Sequence, residues 1–185
     1  AIRTVGVVGS GQMGNGIAQV AACCGMEVTM VDIKQEFLDR GTSAISHSLD
    51  KLVSKGRLSQ QEADSALSRI SSSTELESLS ECDLVVEAIP EIPELKYSTF
   101  SKLDSICKPQ AILASNTSSI SINEIARHTN RPDRVIGMHF MNPVPIMKLV
   151  EIINGSETSE AVTSEVVSAS EEMGCLLYTS PSPRD

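Results

Sequence analysis

The chain contains 185 residues, of which 41% are hydrophobic, and its formal net charge is −9. This length suffices for one domain with a substantial core, and no apolar run comes near the length needed to cross a membrane. The acidic balance argues against nucleic acid as a partner, because a phosphate backbone attracts basic surfaces.

The cysteines are odd in number and lack the close pairing of metal-ligand motifs, so we expect reduced thiols and no metal site. Reduced thiols are typical of intracellular proteins, whether cytoplasmic, mitochondrial or peroxisomal. The first residues also lack the pattern of a signal peptide. We therefore expect an intracellular protein that is not inserted in a membrane.

The N-terminal segment TVGVVGSGQMGNGIAQVAA, residues 4–22, has the pattern of a strand that turns directly into a helix. Glycines spaced as in its GSGQMG sequence permit a tight turn, the close approach of a pyrophosphate and close packing of helix on strand. A helix N-terminus at this point also favours an anion. The candidate dinucleotide contacts are Gly9, Ser10, Gly11, Gln12, Met13 and Gly14.

A second strand is predicted over residues 27–31 and ends at Asp32. An acidic side chain at this point accepts hydrogen bonds from the adenosine ribose and repels a 2′-phosphate, which favours NAD over NADP. The nearby Lys34 weakens that preference slightly. The alternative is that Asp32 only caps the following helix.

Two helices are predicted next. The first ends at Lys55, and a capping box of Ser59 and Glu62 begins the second, so the pair forms a helical-hairpin insertion. Ser48 and Lys55 share one face of the first helix. They form either a solvated face or a site for the phosphates of a ligand.

The segment DLVVEAI, residues 83–89, predicts a buried parallel strand. Glu87, Glu91 and Lys96 cluster at its carboxyl end, where such sheets bind ligands. A helix begins near Pro93, and we expect its inward side to contain Leu95, Phe100, Leu103 and Ile106.

A polar cluster, SNTSS at residues 115–119, follows the next predicted strand, residues 111–114. It is either a loop of capping residues or a set of hydrogen-bond donors to a substrate. A further strand over residues 135–140 contains His139, and after a proline-rich reversal the chain returns with Glu151 in an apolar strand. A carboxylate in such a strand needs a partner, so the sequence predicts either a His139–Glu151 pair that acts as a base or a packed structural histidine.

Four segments together resemble the NAD-dependent 3-hydroxyacyl-CoA dehydrogenases, which include the 3-hydroxybutyryl-CoA dehydrogenases. They are VVGSGQMGNGIAQVAA, DLVVEAIPE, LASNTSS and GMHFMNPVPIMKLVEII, and the likeness extends over residues 3–174. The resemblance implies an α/β fold, a Rossmann-type doubly wound, mostly parallel sheet, over residues 1–174. In this family an all-helical domain follows, which closes the substrate cleft and supplies dimer contacts, and we expect it to be absent here.

The resemblance also implies an enzyme that oxidises (3S)-3-hydroxyacyl-CoA to 3-oxoacyl-CoA with NAD in fatty acid metabolism. His139 is then the catalytic base, Glu151 its partner, and Ser118 the hydrogen-bond donor to the reacting oxygen. The implied NAD contacts are the residues of the glycine turn with Asp32, Glu91, Lys96, Ser118 and Asn142. The implied contacts to the CoA substrate are Ser48, Lys55 and Ser118.

Residues 175–185, CLLYTSPSPRD, depart from the family pattern. They resemble the in-frame translation of a sequencing adapter, so we expect an artefact tail in which residues 180–185 pack poorly and have no fixed fold. We expect the parent protein to be a homodimer through the helical domain and this chain to be weakly active or inactive. The alternatives are a non-catalytic NAD-binding structural protein and a different Rossmann hydroxy-acid dehydrogenase, which would use a lysine base.

Overall fold

The structure is a computed structural model that describes residues 1–181. Within them the strands are β1 (Thr4–Val8), β2 (Glu27–Val31), β3 (Ile70–Ser73), β4 (Leu84–Glu87), β5 (Ile112–Ser115), β6 (Val135–Phe140), β7 (Leu149–Asn154) and β8 (Leu176–Pro181). The helices are α1 (Gln12–Cys23), α2 (Gln35–Ser54), α3 (Gln60–Ser68), α4 (Pro93–Ile106), α5 (Ile122–Ala126) and α6 (Glu160–Glu172), with short 3₁₀ helices at Leu76–Leu79 and Pro132–Arg134.

The strands of the described residues form one sheet in the order β3-β2-β1-β4-β5-β6-β7-β8. Neighbouring strands are parallel except β6 and β7, which are antiparallel. The chain leaves β1 towards one edge and returns to β4 on the other side, so the carboxyl ends of β1 and β4 flank a topological switch point. This is the predicted Rossmann-type doubly wound sheet, with α2 and α3 as the helical insertion.

Apolar side chains form a core on each face of the sheet. One core joins the sheet to α1, α2, α3 and α6, for example through Ile17, Leu38 and Val162. The other joins it to α4 and α5, through residues such as Phe100 and Ile125. Because successive residues of a strand point to opposite faces, both faces of the central strands are covered, which explains their nearly continuous apolar sequences.

The structure contains one strand that the sequence does not predict, and it corrects two expectations. β3 pairs with β2 although its sequence, ISSS, is typical of a polar connection. Leu95 is 42% exposed, so it does not lie on the inward side of α4. Ser180 and Pro181 belong to β8, which pairs with β7, so the expected absence of a fixed fold is wrong for these two residues. The rest of that expectation, residues 182–185, lies outside the described residues.

Several large apolar side chains are exposed beside the β6–β7 connection and on β8. They are Ile146, Met147, Leu176 and Tyr178. Within residues 1–181, none of the helices has both the length and the apolar character that a membrane span requires.

We expect Gly14→Ala to destabilise the fold by about 2–3 kcal/mol, because overpacking forces backbone to move. A Cβ atom at this position would clash with the carbonyl group of Gly9, whose carbon would lie 2.7 Å away. Urea unfolding measures the change. Gly11→Ala is the matched control, because a Cβ atom there meets nothing within 4 Å. This variant should lower the free energy of unfolding by less than about 1 kcal/mol. Equal losses in the two variants would show that the contact between Gly14 and Gly9 does not limit the side chain at residue 14.

Candidate active site

The turn between β1 and α1 is built around Gly9. Its φ angle is +104°, which only glycine adopts without strain, and a Cβ atom there would lie 2.6 Å from the carbonyl oxygen of Ala88. The Gly9 amide donates a hydrogen bond of 2.8 Å to the carbonyl oxygen of Val31. The turn is therefore fixed to the ends of both neighbouring strands.

The N-terminus of α1 fits a pyrophosphate. Gly11 is its N-cap residue, and no side chain of the described residues caps it, so the first amides of α1 are available to an anion. The space beside Gly11 is open for 4 Å around the position of a Cβ atom. Backbone amides and open space are the features that a bound dinucleotide requires at this point.

Asp32 fastens the end of β2 to the glycine turn. Its Oδ2 accepts hydrogen bonds from the amide (2.8 Å) and the hydroxyl (2.7 Å) of Ser10, and its Oδ1 accepts one from the amide of Ile33 (2.8 Å). The N-cap residue of α2 is Lys34, so Asp32 does not cap this helix. Ser10 is buried, and both its amide and its hydroxyl are engaged by Asp32.

Side-chain alternation explains how charged groups enter the core at the carboxyl end of β4. Val85 lies in the core that faces α4, and Glu87, two residues later, points to the same face. On α4 the buried residues Lys96, Phe100 and Leu103 follow helical spacing. The acid and the lysine are therefore brought together from facing elements.

Glu87 is fully buried and Lys96 is 1% exposed. The Lys96 ammonium donates to Glu87 Oε2, to the carbonyl oxygen of Ile89 at 3.1 Å and to Glu91 Oε1 at 3.2 Å. These three acceptors match the three N–H donors of a lysine. Glu87 also accepts hydrogen bonds from Ser115 Oγ (2.6 Å) and the amide of Ile89 (2.8 Å), so both buried charges are compensated.

Glu91 organises the polar loop that follows β5. Its Oε2 accepts hydrogen bonds from the hydroxyl of Thr117 (2.7 Å) and from the amides and hydroxyls of Ser118 and Ser119 (3.0–3.3 Å). Partial burial acts to raise the pKa of this carboxyl, but the bonds from Thr117 and Ser118 and the charge of Lys96 outweigh it and lower the pKa to about 2. The cluster of Glu87, Lys96 and Glu91 therefore holds the loop through an ionised carboxylate.

His139 and Glu151 are directly opposite each other in the antiparallel pair of β6 and β7. His139 Nδ1 lies 3.4 Å from Glu151 Oε1. A carboxylate only accepts hydrogen bonds, so this contact favours the imidazole tautomer that carries its proton on Nδ1 and a lone pair on Nε2. The other oxygen of Glu151 accepts a hydrogen bond of 2.7 Å from Ser180 Oγ.

One cleft of about 310 Å³ joins these groups. Its lining includes Met13, Glu91, Lys96, Asn116, Ser118, His139 and Asn142. The structure therefore brings the start of α1, the Glu91 loop and the histidine to one surface. Ser48, half-buried on α2, and the exposed Lys55, just after that helix, are not in the lining of this cleft within the described residues.

A second cleft of about 300 Å³ lies along the outer side of α1, between Gln19, Leu52, Pro145 and Glu172. Its lining within the described residues contains neither the glycine turn nor His139. We therefore place the candidate active site in the first cleft, which His139 and Met13, at the start of α1, both line.

The sequence did not reveal the partners of three supporting residues, two of which belong to the predicted polar cluster of residues 115–119. Ser115 lies opposite Glu87 in the sheet register, Asn116 Oδ1 accepts a hydrogen bond of 2.8 Å from the amide of Phe140, and Ser180 contacts Glu151. A signal existed for Ser115, because a polar residue at the end of a buried strand needs a partner. The other two contacts depend on the positions of distant elements.

The fold and the cleft define a dinucleotide-binding domain with a histidine–carboxylate pair beside the nucleotide turn. The family model "3-hydroxyacyl-CoA dehydrogenase, NAD binding domain" matches residues 4–176. The chain belongs to this family.

Similar proteins agree with that assignment. The chain is 52% identical over 169 residues to the protein named "probable 3-hydroxybutyryl-CoA dehydrogenase" in Deinococcus radiodurans. The aligned region covers 91% of the chain and 60% of the relative. A protein with the same name in Bacillus subtilis is 49% identical over 94% of the chain and 60% of the relative. The chain thus spans about three fifths of the length of these relatives.

A solved structure shows the same fold. The crystal structure of (S)-3-hydroxybutyryl-CoA dehydrogenase PaaH1 from Ralstonia eutropha has a TM-score of 0.97 and 45% identity, over 99% of this chain and 65% of that protein. The predicted fold class is therefore confirmed, and NAD is the cofactor that the family binds.

We expect Glu91→Gln to lower the free energy of unfolding at neutral pH, with a difference from the unchanged chain that shrinks in acid. The pKa of Glu91 is about 2 in the folded protein, against an ordinary value of 4.5. The unfolded chain therefore binds the proton first, so the stabilisation is complete above the ordinary pKa and is lost as the pH falls towards the folded one.

Urea unfolding at about pH 7 and about pH 3 tests this expectation. Glu94→Gln is the control, since Glu94 is an exposed carboxylate in the first turn of the same helix. A destabilisation by Glu91→Gln that is as large in acid as at neutral pH would contradict the assigned role of the carboxylate charge.

Proposed function

We propose that the chain is the NAD-binding and proton-transferring part of an enzyme that oxidises (3S)-3-hydroxyacyl-CoA to 3-oxoacyl-CoA, reversibly. The observation that carries this proposal is that Met13, at the start of α1, and His139, which is paired with Glu151, line one cleft. A histidine base on a strand also favours this reaction over that of a hydroxy-acid dehydrogenase with a lysine base. The names of the relatives support the substrate class.

The glycine turn and Asp32 hold the nucleotide in this proposal. The amides at the start of α1 bind the pyrophosphate, and Asp32, fixed by Ser10, accepts hydrogen bonds from the ribose. Bound NAD supplies an acceptor for the hydride from the alcohol carbon. Glu91, Ser118 and Asn142 line the part of the cleft near His139 and are the proposed contacts of its nicotinamide half.

His139 is the proposed base. Its Nε2 takes the proton of the 3-hydroxyl group while the Ser118 hydroxyl, which donates to Glu91 in the structure, turns to donate to the same oxygen. Glu151 holds the imidazole in the required tautomer and stabilises the imidazolium that forms. Lys96 lines the cleft, and its donors are directed to Glu87, Ile89 and Glu91. It acts on the cleft through Glu91.

Ser48 and Lys55 are proposed contacts of the CoA phosphates. We also propose that the longer parent protein is a homodimer through a further helical domain. The exposed apolar side chains Ile146, Met147, Leu176 and Tyr178 support a contact with additional chain beside β7 and β8.

We expect His139→Asn to lower the rate of NADH oxidation with acetoacetyl-CoA by about a thousandfold or more. The assay uses this chain and a chimera in which the C-terminal part of the Deinococcus radiodurans relative follows residue 174. The Kd for NADH should change less than about threefold, since Asn preserves polarity at the site. His128→Asn, at an exposed histidine, is the control and should keep full activity. Near-normal turnover by His139→Asn would disprove the proposed base.

We expect Lys55→Gln to raise the KM for acetoacetyl-CoA by about three- to tenfold with little change in kcat, because a phosphate contact remote from the reacting atoms contributes uniform binding. Steady-state kinetics of the chimera measure both constants. Acetoacetyl-pantetheine, which lacks the nucleotide phosphates, is the control substrate and should show no difference. An equal effect of Lys55→Gln on both substrates would exclude the proposed phosphate contact.

A further inference from the structure

The cluster of Glu87, Lys96 and Glu91 has an uneven number of charges. It contains two carboxylates and one ammonium group, joined by the contacts from Lys96 to both acids. Its formal sum is therefore −1. Of the residues that line the cleft, Glu91 and Lys96 are the members of this cluster, while Glu87 lies beneath them in the core.

Two of the three charges of the cluster, those of Glu87 and Lys96, are poorly screened. Glu87 is fully buried and Lys96 is 1% exposed, so neither water nor salt ions surround them, and charges in such surroundings act over longer distances than charges at the surface. Ser115 and the amide of Ile89 complete the hydrogen bonds of Glu87 without adding charge. The carboxylate of Glu151 is engaged by His139 and Ser180.

The two forms of the cofactor differ in charge at one end. The nicotinamide ring of NAD⁺ carries a positive charge, and the dihydronicotinamide ring of NADH is neutral. We propose that the Glu87–Lys96–Glu91 cluster sets the relative affinity of the cleft for NAD⁺ and NADH through its net negative charge, and that Glu87 is the buried residue that supplies this charge. The inference rests on the proposed function, which places the nicotinamide half beside Glu91.

Glu87 is thus a positioning and charge-setting residue and not a catalytic one, because Lys96 and Glu91 lie between it and the cleft. Without Glu87, Lys96 would neutralise Glu91 and the cluster would carry no net charge. The affinity for NAD⁺ would fall relative to that for NADH, while a purely structural role would change both affinities together.

The experiment measures the Kd of NAD⁺ and of NADH by calorimetry for the 185-residue chain and for Glu87→Gln. The amide of Gln keeps the shape of the side chain, with its oxygen towards Lys96 and its nitrogen towards Ser115. We expect the ratio of the Kd for NAD⁺ to the Kd for NADH to rise roughly tenfold, the size of effect expected for one poorly screened charge near the ring.

Two matched controls separate charge from structure. Ser115→Ala removes a hydrogen bond to the same carboxylate and leaves the charge, so the ratio should stay within about twofold. Asp83→Asn removes one negative charge from the carboxylate that pairs with Lys108 at the opposite end of β4, and it should also leave the ratio unchanged.

An unchanged ratio in Glu87→Gln, or an equal change in Ser115→Ala, would overturn the inference. If Glu87→Gln does not fold, Glu91→Gln makes the same change of charge at a carboxylate whose side chain is 38% exposed, and the same rise in the ratio is required. If the unchanged chain binds neither cofactor, the proposed function itself fails and the inference fails with it. Binding of both cofactors without the shift contradicts the inference alone.

Discussion

The antiparallel pairing of β6 with β7 is the constraint on which the active site depends. In an otherwise parallel sheet, this reversal brings residues 12 positions apart in sequence directly opposite each other, and the register places His139 beside Glu151. A slip of one residue would move Glu151 to the other face of the sheet. The chemistry proposed for the histidine therefore depends on a backbone register, which the apolar residues on the other face of both strands maintain.

The same alternation along parallel strands builds the other side of the cleft. It places Glu87 and Ser115 on the face that α4 covers, and α4 supplies Lys96 from the core side of the helix. A buried pair of charges adds little to stability when compared with apolar residues of the same size, but loss of one partner is costly. In this protein the Glu87–Lys96 pair holds Glu91 in one arrangement before any ligand binds, and Glu91 in turn holds the loop of residues 117–119.

Much of this architecture was predictable because its signals are local. The glycine turn, the Ser59–Glu62 capping box and the strand that contains Glu151 each follow from residues close together in sequence, and the structure confirms all three. The pairing of His139 with Glu151 followed from one physical argument, that an acid in an apolar strand needs a partner. The same argument applied to Glu87 and Lys96, which the sequence placed together without revealing their burial.

Other features depended on neighbours that a sequence does not display. The polar β3 is a strand because β2 offers it hydrogen bonds, although its own residues favour a loop. Similarly, β8 fills the free edge of β7, and the β-prone residues Leu, Tyr and Thr suit such an edge whatever their origin. The derivation of residues 175–185 from an adapter stays a prediction. Ser10 and Lys96 direct donors to neighbouring carboxylates, which the sequence did not reveal, and their contacts with the cofactor stay predictions.

The most direct test of the proposed base is the ¹⁵N spectrum of the histidine rings in the labelled chain, recorded without and with NADH. We predict that neutral His139 carries its proton on Nδ1, towards Glu151, and that its Nε2 resonance shifts when NADH binds, while the exposed His47 and His128 remain unchanged. A proton on Nε2, or a His139 resonance that NADH does not affect, would contradict the claim that this imidazole is the base beside the cofactor.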